Sequence, residues 1–237
     1  LRAVLAATSP STSFVGDDGK STPYPTPAPG LASTPSPSPT DGSDMSWVTP
    51  KLQAEFLAFD CKTKRDAAKQ PTDQPLIACD SSGQAKYLLG PVELDGTSIK
   101  DATAGLNQQN GQWEVNLTFD GKGTDAFGKV SQRLYAFTQQ NQTPRNQFAF
   151  VLDGSVISAP TMNGVILDGR PSISGSFTQE TAKSLADQLK FGALPLSFTV
   201  QSSDTISATL GSQQLQIGLI AGLIGLGLVA IYSLLSY

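Results

Sequence analysis

The densest signal of period and alternation lies between Phe148 and Pro195. Phe148, Phe150 and Leu152 recur at every second position, the spacing of a strand with one buried face. Asp153-Gly154 interrupts the run and Ser155–Ser158 resumes it. An Asp-Gly pair between two β-prone runs predicts a hairpin, because a type I′ turn needs positive φ at both central residues. A second pair, Asp168-Gly169, precedes a third run, Ser172–Phe177. Thr178 is placed to cap a helix, with Glu180 in the first turn, where the positive end of the helix dipole favours an acid. Ala182, Leu185, Ala186 and Leu189 give that helix one apolar face, and Gly192 and Pro195 close it.

Upstream, Trp113, Val115, Leu117 and Phe119 alternate with polar residues and predict a strand with one wet face. Gly121 and Gly123 make a turn into a helix whose apolar positions are Phe127, Val130, Leu134 and Phe137. Tyr87–Leu94 reads as a strand. Thr97–Leu106 reads as a short helix, with Ile99, Ala102 and Leu106 on one side. Trp47–Phe59 opens the folded part: Pro50 suits a first helical turn, and Leu52, Phe56 and Phe59 share a face. Leu1–Ala7 looks like the end of an apolar strand whose partners lie upstream of this sequence. From Trp113 to Val200 the elements run strand, helix, three strands, helix, strand. The expected fold class is therefore α+β, a split βαβ (ferredoxin-like) sandwich with helices on one face of a mostly antiparallel sheet.

Two stretches differ in kind. Eight of the sixteen prolines fall between Pro10 and Pro39, among Ser, Thr, Gly and Ala. Such a stretch buries too little apolar surface to offset its ordering entropy, so residues 8–45 are expected to be a disordered or polyproline-like linker, with a Pro-rich ligand as the alternative use. After Asp204 no charged residue appears, and Leu215–Leu235 is apolar except for Gln216, Tyr232 and Ser233. Those residues, at the helical rise, span about 32 Å against a bilayer core of about 30 Å. A transmembrane helix over residues 214–237 is expected. Gly218 and Gly222, with Ala221 and Gly225, set small residues four apart on neighbouring faces, where another helix can approach closely.

Composition removes several chemistries. There is no histidine, which excludes a Ser-His-Asp triad, a histidine-based zinc site and a histidine pH switch. Two cysteines cannot make a four-thiolate metal site. A net charge of −4 argues against nucleic acid. Gly16–Ser21 approaches a P-loop, but the first glycine of that pattern would fall at Phe14, and Pro23 and Pro25 prevent the helix that must follow. Gly121, Gly123 and Gly128 miss the dinucleotide fingerprint by two places. Asp120, Asp153 and Asp168 all sit beside glycine in turns, the ordinary use of aspartate. No catalytic, cofactor-binding or metal-binding residue is assigned, and no cofactor is expected. Cys61 and Cys79 are either a disulfide closing a polar loop or two unrelated buried thiols.

The runs SVISAP, SISGSFTQETAKSLADQL and FGALP resemble SecD, the membrane subunit of the bacterial Sec translocon, and KYLLGPVEL and VNLTFDGKGTDAF extend the resemblance. It implies the first extracytoplasmic domain of a multi-pass plasma-membrane protein, with its following membrane helix. Residues 1–7 would then end a strand of a membrane-proximal base, residues 46–195 would form a distal head, and residues 196–213 would return to the base. Residues 1–213 would lie on the extracytoplasmic side. The sequence lacks an initiating methionine and ends in an apolar run, as an excised piece of a longer membrane protein would. On the extracytoplasmic side oxidation is permitted, which favours the disulfide.

The family's role implies capture of unfolded exported polypeptide and completion of export driven by the proton gradient, with a SecF-like subunit, the SecYEG channel and membrane lipid as partners. The alternative is a static membrane-anchored scaffold or adhesion domain. A membrane-anchored hydrolase would need a nucleophile with its base, and no G-x-S-x-G occurs. If a head turns on a base, the chain must enter and leave it. The two connections expected to act as hinges are Asp44–Thr49 and Leu194–Leu196, the latter stiffened at Pro195.

Overall fold

The first strand, β1 (Arg2–Thr8), has Arg2 to Leu5 all buried, because the chain packs on both its faces. In the computed structural model, which describes residues 1–15, 20–62, 71–192 and 209–236, β1 lies in the middle of a five-stranded sheet. Its neighbours are β5 (Lys86–Val92) and β8 (Phe148–Leu152), both antiparallel to it. β4 (Leu76–Cys79) and β9 (Ser155–Ser158) complete the order β4-β5-β1-β8-β9. The expectation that the partners of β1 lie upstream is corrected: both come from this chain. A bridge between Asp80 and Val156, with Ser81 N donating to Val156 O at 3.1 Å, shows that the sheet curls until its two edges meet at one end.

Inside the curl, Val4 packs with Leu76, Ala78, Leu89, Ala149 and Val156. Outside it, Leu5, Ile77 and Leu88 are covered by Phe56 of α1 (Pro50–Ala58). Thr49 caps α1, its hydroxyl accepting from Leu52 N at 3.2 Å, and Pro50 takes the first helical position.

A second, three-stranded sheet has the order β10-β7-β6, from β6 (Ile99–Leu106), β7 (Trp113–Phe119) and β10 (Ser172–Phe177). Two helices pack with it: α2 (Gly121–Gln139), which buries Phe127, Val130 and Leu134, and α3 (Gln179–Gly192), which buries Ala182, Leu185 and Ala186. Asp120 caps α2, its Oδ1 accepting from Gly123 N at 2.6 Å. A Cβ on Gly123 would stand 2.8 Å from the Ser98 side chain, so the glycine there serves close packing. The large core joins the two sheets through Phe127, Phe148 and Phe150, with the Phe127 and Phe148 rings 5.3 Å apart.

α+β with antiparallel sheets is what the structure has, but the single split βαβ sheet is not found among the described residues. β8 leaves β7 because β1 offers it an edge, and β9 follows β8 through the Asp153-Gly154 turn, whose φ angles are +49° and +78°. Thr97–Leu106 is also corrected. Asp95 caps a 3-10 turn over Gly96–Ser98, and β6 follows. A bulge between Ile99 and Asp101 sets an extra residue against β7, so Ile99 and Ala102 face the core three positions apart and imitate a helix. Within the stretch expected to lack regular structure, β2 (Ser13–Val15) and β3 (Ser21–Pro23) pair as a hairpin, with the Phe14 and Tyr24 rings 5.3 Å apart.

The chain divides into two units, Leu1–Pro195 and Leu196–Tyr237. The second contains α4 (Thr209–Ser236), whose residues Ile217–Leu235 have a mean hydropathy of 2.3 and no buried residue. Among the described residues this is the one helix long and apolar enough to cross a membrane.

Two backbone approaches bind the N-terminal arm to the first sheet. A Cβ on Gly90 would fall 1.8 Å from Gly42 O, and one on Gly42 would meet the Glu93 side chain at 2.6 Å. Gly90→Ala is expected to lower unfolding stability by about 1–3 kcal/mol, the range for overpacking. Gly96→Ala, with nothing within 4 Å, should change it by less than about 0.5 kcal/mol. Urea titration of the purified protein in detergent checks both, and equal midpoints for the two variants would refute the close approach.

Candidate functional site

Where the two sheets and α3 converge, the apolar faces do not close completely. A cleft of about 100 Å³ remains, lined by Ile99, Phe150, Leu152, Ile157, Ile173, Leu185 and Leu189, with Leu1, Gly96 and Val151 at its margins. Gln188 supplies the one polar side chain of this lining. Each wall follows from local sequence. Period two puts Phe150 and Leu152 on one face of β8, and the tight turn at Asp153-Gly154 carries Ile157 back beside them. On α3, Leu185 and Leu189 are four apart and share a face, while Ala186 and Lys190 lie one step round the helix. Ile173 contributes from β10 and is fully buried.

At the C-terminal end of α3, Lys190 Nζ lies 2.8 Å from Asp101 Oδ1 on β6, tying the helix to the sheet beside the cleft. The Lys190 side chain holds the Asp101 carboxyl below the usual range, and Asp101 in turn raises the Lys190 ammonium. Both side chains are nearly half exposed, so the pair steadies α3 only modestly. The side chains that line the cleft offer no group that could move a proton or hold a metal. Its chemistry is limited to receiving apolar side chains.

Further along the first sheet, beside β5 and α1, stands a polar cluster that sequence reasoning missed. Lys86 is 1% exposed, and its Nζ donates to Leu57 O at 2.6 Å and Ser11 O at 2.8 Å, with Phe59 O at 3.4 Å. The rings of Phe56 and Tyr24 flank it at 5.7 and 5.9 Å. Burial pushes its ammonium below the ordinary lysine value. Arg2, also buried, donates to the carbonyls of Gln74, Gly90 and Pro71 at 2.7–2.9 Å. The available signal was position: Lys86 alternates with Leu88 on β5, and a charge on a buried face implies acceptors waiting for it.

The residues singled out in the sequence fall as follows. Cys61 and Cys79 are joined as a disulfide, which links the loop after α1 to β4. Asp44 caps a 3-10 turn over Met45–Trp47, and hydrogen bonds from Ser46 and Thr40 hold its carboxyl well below the usual range. Thr49 caps α1. Both act as caps inside the Leu1–Pro195 unit. Leu194, Pro195 and Leu196 lie outside the described residues, as does the expected strand Leu196–Gln201. Gly218, Ala221, Gly222 and Gly225 are exposed on α4, and a Cβ on any of the three glycines would meet nothing within 4 Å.

Residues 73–196 match the family model described as SecDF, P1 head subdomain. The protein translocase subunit SecD of Streptomyces coelicolor is 43% identical over 198 residues, which are 80% of this chain and 34% of that protein. The corresponding subunit of Mycobacterium tuberculosis is 40% identical over 166 residues, 69% of this chain and 27% of that protein. The chain thus spans about a third or less of the length of these relatives. Among solved structures, SecDF from Thermus thermophilus, described as a translocon-associated membrane protein, is 33% identical. It covers 58% of this chain and 18% of its own, with a TM-score of 0.41.

Two outcomes check the polar and covalent ties. Replacing Cys61 and Cys79 by serine should lower stability by about 3 kcal/mol, the chain-entropy value for a loop closed at a separation of 18. An unchanged urea midpoint would contradict it. Because the Lys86 ammonium is disfavoured in the folded state, the unfolded chain binds more protons wherever pH lies between the lowered value and the ordinary 10.5. Stability should therefore rise with pH across that window relative to Lys86→Met, which lacks the group. A constant difference between the two proteins from neutral to alkaline pH would refute the assignment.

Proposed function

The chain belongs to the SecD family of protein translocase subunits and contains that family's P1 head, and from this premise we propose that the Leu1–Pro195 unit captures unfolded polypeptide during export. The observation that carries the reading is the cleft between the two sheets and α3. It is apolar, open, and without a charged side chain in its lining. A site that must accept many exported sequences cannot depend on one ion pair or one hydrogen-bonding pattern. Apolar side chains, exposed in every unfolded chain and hidden in folded ones, are the common denominator. The small volume suits one or two side chains at a time, so each contact is weak and a moving chain is not trapped.

The unit acts on a polypeptide by binding alone and catalyses nothing. α4 anchors it in the membrane, and the small residues Gly218, Ala221, Gly222 and Gly225 meet another membrane helix of the complete protein or of a SecF-like partner. Leu196–Tyr237 forms its own unit, and the connection at Leu194–Leu196 is where the head turns as a rigid body. The complete protein works beside the SecYEG channel and draws on the proton gradient through groups that this chain does not contain.

The test is crosslinking from within the complete protein. A photoreactive residue at Leu152, Ile157 or Leu189 should form adducts with a stalled export substrate. The same residue at Gln53, exposed on α1 and outside the cleft lining, should form few. Adducts from Gln53 as abundant as those from the cleft, or none from any cleft position, would sink the capture reading and favour a static scaffold.

A further inference from the structure

We propose that the Pro-rich arm is a site of O-linked glycosylation, with hexose carried on the hydroxyls of Thr26, Ser33, Thr34, Ser36 and Ser38. Between Ser21 and Thr40 the chain has no charged residue, and Ser, Thr and Pro dominate it. That composition is the signature of glycosylated stalks as well as of plain spacers, and the structure separates the two uses. Residues 24–40 form no helix and no strand. Pro27, Leu31, Pro35 and Pro39 are half-buried, while the five hydroxyl residues are exposed. Pro25, Pro29 and Pro37 are exposed as well, so the arm turns three of its six prolines partly inward and these five hydroxyls outward.

A domain that reads polyproline grips successive prolines in an aromatic groove, and here Pro27, Pro35 and Pro39 alternate half-buried with exposed Pro25, Pro29 and Pro37, which leaves no continuous proline face. A glycosyltransferase needs the opposite: an extended backbone and a free hydroxyl. None of the five side chains makes a hydrogen bond within the described residues. Neighbouring hydroxyls are already used: Thr40 Oγ1 donates to Asp44 at 3.0 Å, and Ser43 is buried with its hydroxyl on Asp41. The arm is also held at both ends. Lys86 grips Ser11 O, and Arg133 bridges Asp41 and Glu93. The hydroxyls are thus presented at a fixed place on the surface.

The co-reactant is a hexose activated at its anomeric carbon as a phosphate ester. The Ser or Thr oxygen attacks that carbon and a glycosidic C–O bond forms. The anomeric bond to the phosphate oxygen breaks, the phosphate leaves with the electron pair, and the hydroxyl proton passes to a base of the transferase. The proposal rests on the reading above in one respect, the side of the membrane. An extracytoplasmic arm lies away from ATP, which sets glycosylation above phosphorylation for these five hydroxyls, four of which directly precede a proline.

The experiment uses the complete protein purified from the cells that make it naturally. Trypsin releases Ser21–Lys51 as one peptide, since no lysine or arginine lies between Lys20 and Lys51. Mass spectrometry should show increments of whole hexose units, and electron-transfer fragmentation should place them on the five named residues. In a separate aliquot, a membrane-impermeant amine reagent added to intact spheroplasts reports whether Lys51 faces outward. Labelled Lys51 with an unmodified or phosphorylated peptide overturns glycosylation and leaves the export reading standing. Unlabelled Lys51 overturns the sidedness on which both depend. The variant T26A/S33A/T34A/S36A/S38A should lose every increment and keep its urea midpoint. Hexose persisting on that variant's peptide would refute the choice of residues.

Discussion

A lysine whose ammonium is met by backbone carbonyls holds the first sheet, the first helix and the N-terminal arm together. Burying an ammonium is costly unless its donors are met, and Lys86 meets them with backbone oxygens. Leu57 and Phe59 sit at the end of α1, where carbonyls lack intrahelical partners and the helix dipole is negative, so the cation completes the helix as the helix solvates the cation. Ser11 brings in the arm, and the rings of Phe56 and Tyr24 exclude water while presenting their faces. Arg2 repeats the device one strand away on three carbonyls. Carbonyls anchored by strands and turns cannot swing away as a carboxylate can, so both cations fix position as well as charge.

That constraint explains why β1 is central. Arg2 can satisfy its guanidinium only where Pro71, Gln74 and Gly90 converge, which sets β1 in register beside β5. The other edge of β1 is then free to take β8, and β8 carries β9 with it. The division of strands between two sheets follows, and the cleft is the seam that division leaves beneath α3. A single sheet with both helices on one face would have closed it.

Local signals were legible and their partners were not. The Asp153-Gly154 hairpin, the glycine turn into α2 and the apolar faces of α2 and α3 could each be read in the sequence, because spacing within an element depends on that element alone. Sheet membership could not, since β8 at period two pairs equally well with β7 or β1. The helix expected over Thr97–Leu106 failed for a specific reason: the bulge beside Asp101 shifts the alternation by one residue, which makes Ile99 and Ala102 look helical. Of the cleft, Phe150, Leu152, Leu185 and Leu189 were readable as buried positions. That they leave a gap depends on two sheets meeting, which no window of sequence contains. Lys86 and Arg2 lay in apolar strands as visible exceptions, but acceptors supplied by the backbone have no residue signature.

The seam and the Lys86 cluster occupy different stretches of the first sheet, the one beside β8 and β9 and the other beside β5 and α1, and the difference is functional as much as structural. The Lys86 ammonium is matched by carbonyls and flanked by aromatic rings, so loosening that stretch would expose an unpaired charge. Around the cleft the polar inventory is one glutamine and a half-exposed ion pair, so a guest side chain can enter without breaking a buried hydrogen bond. Entry replaces water against Leu152, Ile157 and Leu189, a gain that scales with guest apolar area and is indifferent to guest sequence. The rigid stretch bears the arm and the disulfide, and the permissive stretch receives the guest. A domain that must grip many chains without unfolding itself needs both on one sheet.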